Sequence, residues 1–237
     1  MQFLWMFTTI ALLTLGTPTT RADGLLYQLP DDGAWVRFDM ELIAQRDGME
    51  TKLKGFLTMS SVGQQTENGE KCRWIEFDGN VKNADGKRTF VAKALIPERY
   101  LKKDKKPLDH FVRGWLREAD NVPQSLAPPD VYRQGFFPAF LSGPLKDAEN
   151  LDVELVECKL GKLQCAGVAG RGEYQQGRYE THLTFQIRLH EKAPFGVVSA
   201  RMECEGRRDG QVRESGTVTL NLAEIGDKAT TKLPDYQ

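Results

Sequence analysis

The sequence predicts an α+β fold that is mainly antiparallel β, a strongly curved sheet or half-barrel with two central helical pieces. Three observations carry that expectation. From Tyr179 to Leu189 the odd positions are Tyr, Thr, Leu, Phe, Ile and Leu, and the even positions between them are polar. Val36, Phe38, Met40 and Leu42 alternate with Arg37, Asp39 and Glu41 in the same way. Such period-two patterning marks strands with one face in a core and one in water. Between roughly Pro97 and Asn150 the spacing changes to three and four, which marks helix.

Taken in order, the first element is a leader. Phe3 to Leu15 is apolar except for Thr8, Thr9 and Thr14, and Gly16, Pro18 and the small residues Thr20 and Ala22 follow. This is the layout of a secretory signal peptide over 1–22, cleaved between Ala22 and Asp23, although no Lys or Arg precedes the apolar run. The run is too short to span a bilayer, which takes ~20 residues. No transmembrane span is expected once it is removed, and 23–237 reads as one domain with a helical insertion at about 97–149. The expected compartment is secreted, periplasmic or cell-envelope.

Asp47-Gly48 is a preferred two-residue hairpin turn. Pairing around it sets Leu42 opposite Leu53, Met40 opposite Gly55, Phe38 opposite Leu57 and Val36 opposite Met59, all on the apolar face. Further turn signals stand at Asn68-Gly69, Asp85-Gly86 and Asp209-Gly210. A strict two-residue register at the last would swap faces. A bulge or a three-residue loop there instead pairs Ala200 with Leu220 and Met202 with Val218. In the middle, Pro97 to Leu101 predicts a short helical turn. Leu108, Phe111, Val112, Trp115 and Leu116 predict a first helix, and Val131 to Leu141, interrupted by Gly135 and Pro138, a second.

The four cysteines, Cys72, Cys158, Cys165 and Cys204, form no C-x-x-C pair, so zinc-ribbon and thioredoxin-like readings fall away. A turn at Gly161-Lys162 would set Cys158 opposite Cys165 with Cα atoms ~5.5 Å apart, within disulfide reach. A second bridge, Cys72 to Cys204, needs their strands to be neighbours.

Thirty-two basic against 33 acidic residues give a formal net charge of −1, so no global pull towards nucleic acid or an anionic membrane is expected. His182 and His190 share a strand face about 27 Å apart, too far for one metal ion, and no metal site or cofactor motif is found in the sequence. The stretch Gly167 to Gly172 has the reverse of the dinucleotide-binding glycine spacing and reads as a site of close backbone approach. Asp109, His110 and Arg113 are the nearest approach to an acid–base group, without a nucleophile motif beside them.

The aromatics Phe111, Trp115, Phe136, Phe137 and Phe140 cluster around the helical stretches. They read as a lining for an apolar groove between sheet and helices, or as plain core. The stretches Trp35-Val36-Arg37-Phe38-Asp39-Met40 and Pro194-Phe195-Gly196-Val197-Val198, leading to Glu224-Ile225-Gly226, sit in an order of strands, helical pieces and strands behind a leader. That order resembles the periplasmic lipoprotein-carrier fold. The resemblance implies a half-open antiparallel barrel covered by helices and a role in carrying lipid-modified proteins. The expected function is therefore an exported, non-enzymatic binding protein for an apolar or amphipathic guest: a lipid, an acyl chain or a peptide. The alternatives are a secreted enzyme built on Asp109, His110 and Arg113, and an interaction domain without a pocket.

Overall fold

The computed structural model describes residues 25–233 apart from 47, 84–85, 102–104, 106, 129–144 and 177. The leader, its Ala22/Asp23 cleavage point and the second helical stretch with Phe136, Phe137 and Phe140 lie outside the described residues. Eleven strands follow one another: β1 (Trp35–Arg46), β2 (Met49–Glu67), β3 (Glu70–Asn83), β4 (Gly86–Pro97), β5 (Arg113–Glu118), β6 (Gln124–Leu126), β7 (Lys146–Cys158), β8 (Gly161–Gln176), β9 (Tyr179–Leu189), β10 (Val197–Arg208) and β11 (Gln211–Gly226). They form one antiparallel sheet in the order β6-β5-β4-β3-β2-β1-β11-β10-β9-β8-β7. Every pairing is between sequence neighbours except β1 with β11, which joins the two halves.

The period-two readings hold over the bodies of the strands, while Tyr179 at the start of β9 is exposed. Leu42, Met40, Phe38 and Val36 face Leu53, Gly55, Leu57 and Met59. Strand β9 spans Tyr179–Leu189, with Leu183, Phe185, Ile187 and Leu189 buried. Ala200 faces Leu220 and Met202 faces Val218, and the register shift that restores the faces falls between Gly206 and Arg207. At the turns, Asn68 (φ 49°) with Gly69 (φ 78°) and Asp209 (φ 53°) with Gly210 (φ 76°) both take consecutive positive φ, the geometry whose twist matches the flanking strands.

The helical expectation for Leu108 to Leu116 is overturned. Pro107–Asp109 is a single 3-10 turn and Arg113–Glu118 is strand β5, paired with β4 from Phe90↔Glu118 to Leu95↔Arg113. Leu108 and Phe111 are buried because the connector folds onto the sheet, not because they share a helix face. The 3-10 turns Glu98–Tyr100 and Pro107–Asp109 are the only helical elements defined among the described residues. The first of them is the short turn that Pro97 predicts.

One face of the sheet carries the core. Phe38, Met59, Phe77, Ala92, Phe185, Ile187, Met202, Leu220 and Leu222 are all buried in one cluster. Close approach needs glycine at several places on this face: a Cβ on Gly55 would meet the Asn80 carbonyl at 1.8 Å, one on Gly79 the Phe90 ring at 2.0 Å, and one on Gly170 Leu145 at 2.5 Å.

Strands β3 and β4 are covered on the other face as well. Cys72, Trp74 and Leu95 form a second buried cluster there, with Val62 and Trp115 packed against it. The C-terminal segment 228–233 closes over this side. Glu76, only 3% exposed, accepts from Thr231 Oγ1 (2.6 Å), the Lys232 N–H (3.0 Å) and the Leu233 N–H (3.3 Å). Lys93 donates to the Leu233 carbonyl at 3.1 Å with its ammonium 4.4 Å from the Trp74 ring centre. A buried carboxylate and a buried ammonium are tolerable only because each is so satisfied.

Glu76→Ala is expected to cost about 2–3 kcal/mol in urea unfolding, the scale for hydrogen bonds to a buried charge. In a chain ending at Gly226 the same change should cost well under half of that. Equal losses in both chains would show that Glu76 does not act through the C-terminal segment.

Candidate functional site

The candidate site is the concave apolar face and what lies on it. The face is built by alternation alone: each long strand sends every second side chain inward, so β1, β2, β3, β9, β10 and β11 contribute rows in register. Among the described residues, four non-strand segments cover it, one of them through Leu145 just before β7. Leu25 and Leu26 are buried in the same cluster, and so are Leu101, Leu108 and Phe111 of the β4–β5 connector and Ala193 and Phe195 of the β9–β10 loop. The N-terminal segment is tied to that loop by the Tyr27 and Gln28 N–H groups, which donate to the Phe195 carbonyl at 3.2 and 3.3 Å. The Gln28 amide adds a bond to the Ala193 carbonyl at 2.7 Å.

One end of the half-barrel is closed by a polar clamp that the sequence did not reveal. Arg73 is 5% exposed. It donates to the Pro30 carbonyl and to Ser61 Oγ, both at 2.9 Å, and pairs with Glu98 at 2.9 Å. Asp32 accepts from Ser61 Oγ at 3.4 Å and the Gly63 N–H at 2.7 Å, completing the chain of contacts. The available signal was Lys93, a single charge inside the apolar run from Phe90 to Pro97, which marks a strand buried on both faces. Arg73 and Glu76 stand among Glu70, Lys71 and Asp78 and carry no such signal.

The predicted lining residues divide. Phe111 lies inside, 3.2 Å from where a Cβ on Gly114 would sit. Trp115, one position along β5, points to the opposite face and packs with Trp74. Of the acid–base alternative, His110 stacks on the Tyr100 ring at 3.9 Å and Arg113 pairs with Glu67 at 3.4 Å. His182 and His190 remain far apart on β9 and its following loop, as the spacing requires.

Both predicted disulfides are overturned, and all four cysteines are free thiols. The β7–β8 turn is Lys159-Leu160, with Cys158 facing Gly161 and Cys165 facing Glu154. Gly161, at φ 96°, takes the left-handed position just after the turn rather than the first position within it. Cys158 is therefore four residues along β7 from Cys165's partner, roughly 13 Å at ~3.4 Å per residue. Cys72 is on β3 and Cys204 on β10, with β2, β1 and β11 between them. Burial raises the thiols of Cys72, Cys165 and Cys204, the last to about 11, where Glu214 and Glu205 add to the effect.

Two grooves on the solvent side are polar. One of about 440 Å³ is bordered by Gln45, His182, Thr184, Glu203, Cys204 and Thr217. Another of about 340 Å³ lies between β7 and the β9–β11 strands, where Arg188 pairs with Glu154 and donates to the Asp152 carbonyl at 2.7 Å.

No family model matches the chain, and no curated protein does. Solved structures do. A protein from Bacteroides fragilis described as exported, with a YmcC-like fold, is 11% identical, with 85% of this chain and 99% of that one covered and a TM-score of 0.35. A domain from Vibrio parahaemolyticus described as outer-membrane lipoprotein-sorting is 10% identical over 87% of this chain and 89% of that one, TM-score 0.33. A β-barrel-like protein of a domain of unknown function from Brucella abortus is 9% identical over 85% and 99%, TM-score 0.29.

The thiols give a direct check. Cys204 titrates near 11 instead of 9 because burial favours its neutral form, so its thiolate fraction at pH 8 is about a hundredfold below an ordinary cysteine's. Its contribution to stability is present below pH 9 and is lost as pH rises towards 11, because the unfolded chain ionises first. Native alkylation should leave Cys204 and Cys165 slow, and unreduced, denatured protein should take up four labels. A mapped Cys158–Cys165 peptide would contradict the register.

Proposed function

We propose that the protein is a non-enzymatic, extracytoplasmic, carrier-like binding protein whose concave face takes an apolar or amphipathic guest, either an acyl chain or an apolar peptide. One observation carries the reading. A single apolar face runs unbroken over the long strands and is covered, among the described residues, by segments outside the sheet rather than by a second sheet.

Covering segments of this kind can exchange with a guest, because they contribute buried side chains to the face without being strands of the sheet. Each buried CH₂ contributes ~0.8 kcal/mol, so a chain of about ten methylenes brings ~8 kcal/mol before ordering costs. In this reading Phe111 lines the guest's seat together with Phe136, Phe137 and Phe140 from the segment that joins β6 to β7. Trp115 belongs instead to the second cluster. The outward stacking of His110 and the pairing of Arg113 supply no reacting centre on the concave side, so the mechanism is burial and release.

Native mass spectrometry of protein purified from the cell envelope tests this. A co-purifying lipid- or peptide-sized mass that is lost in Phe185→Asp but kept in Trp115→Ala is the expected result. A clean apo mass across preparations, with no uptake of an added long-chain fatty acid, would leave the interaction domain with a filled interior as the better account.

A further inference from the structure

We propose that one rim of the half-barrel docks on the surface of an anionic phospholipid bilayer. Because neighbouring strands alternate in direction and β1 runs antiparallel to β11, five hairpin connections lie at the same end, with β5–β6 set back because Glu118 faces Phe90, four residues into β4. The other four project furthest. They are β1–β2, β3–β4, β8–β9 and β10–β11.

Two of these turns are joined into one projecting edge. Arg208 faces Tyr179 across the ladder, the Asp209 N–H donates to the Arg178 carbonyl at 3.3 Å, and the Arg208 guanidinium lies 5.3 Å from the Tyr179 ring centre. This edge reaches past β1, whose last residue, Arg46, already faces Glu214, so Gln211 to Arg213 extend beyond it.

Exposed apolar groups and basic charge meet at this rim. Met49 (71% exposed), Tyr179 (53%) and Val212 (51%) stand at three of the four tips. A turn needs no such residues, since Gly, Asn and Asp serve it better. The described side chains of 45–52, 82–88, 175–180 and 207–213 include eight basic and three acidic ones. The near-zero total therefore conceals a rim of +5 among its described side chains.

Apolar tips ringed by arginines match the layered chemistry of a lipid interface. Aromatic and aliphatic groups enter at headgroup depth and cations meet the phosphates. Separate projecting tips do not form the continuous ~800 Å² patch that a protein partner needs, whereas a fluid surface accommodates them. The rim stands on its own residues and does not depend on whether the concave face carries a guest.

Vesicle flotation of the purified protein decides it, with phosphatidylcholine vesicles compared to ones containing about one third phosphatidylglycerol. Binding should require the anionic lipid and fall at least tenfold as ionic strength rises from ~0.05 to ~0.5 M. The exposed-site triple variant R178Q/R208Q/R213Q should weaken it roughly a hundredfold, about fivefold per arginine, and Y179S/V212S should weaken it further. The control R99Q/R171Q/R201Q removes the same charge away from the rim and should change binding less than about threefold. Equal partition onto both vesicle types, no binding to either, or equal loss in the control would each overturn the proposal.

Discussion

Everything in this molecule follows from the need to hide one face of an eleven-stranded sheet. A flat sheet of that width with one apolar side would leave Phe38, Phe77, Phe185 and Leu220 in water, each at a cost of about 1.5–3 kcal/mol. Curling the sheet on itself removes the face from solvent without a second sheet. The single long-range pairing of β1 with β11 fixes the curl, because it alone connects a meander of β1–β6 to a meander of β7–β11. That pairing spans nearly the whole chain, so its loop-closure cost falls late in folding and makes assembly slow relative to the local hairpins.

The same constraint explains which residues were legible in the sequence. Where a strand has one wet face, alternation and turn chemistry together determine register, and the β1–β2 and β10–β11 pairings could be written down residue by residue. The bulge near Gly206 was readable because a strict turn would have put Met202 on the wrong face. Strands β3 and β4 hide that logic. With Trp74, Leu95 and Cys72 covered on one side and Ile75, Phe77 and Ala92 on the other, alternation vanishes. The charges that remain, Arg73, Glu76 and Lys93, then mark the polar clamps instead of solvent.

Two errors have definite physical causes. Leu108, Phe111, Trp115 and Leu116 sit at helical spacing by coincidence: the first two fold onto the core from a connector, and the last two face opposite sides of a short strand. The β7–β8 turn moved because Gly161 supplies its positive φ after the turn, where a glycine is as useful as within it. That shift alone separates Cys158 from Cys165. The site itself was legible only as a class, an apolar surface with aromatics near it. Its cover by Leu25, Leu101 and Phe195 depends on contacts between segments far apart in sequence, which no local pattern encodes.

The proposed role asks an apolar face, closed at one end by the Arg73 clamp and covered by loop segments, to exchange its own side-chain contacts for a guest's. Photo-crosslinking with a diazirine-bearing fatty acid, mapped by peptide mass spectrometry, tests that claim most directly. The account predicts labels on inward positions of the sheet and its cover, such as Phe111, Phe185, Phe195 and Met202, competed away by unlabelled fatty acid. Labels confined to the solvent face around Trp115, Val153 and Leu155, or labels that competitor does not reduce, would contradict it.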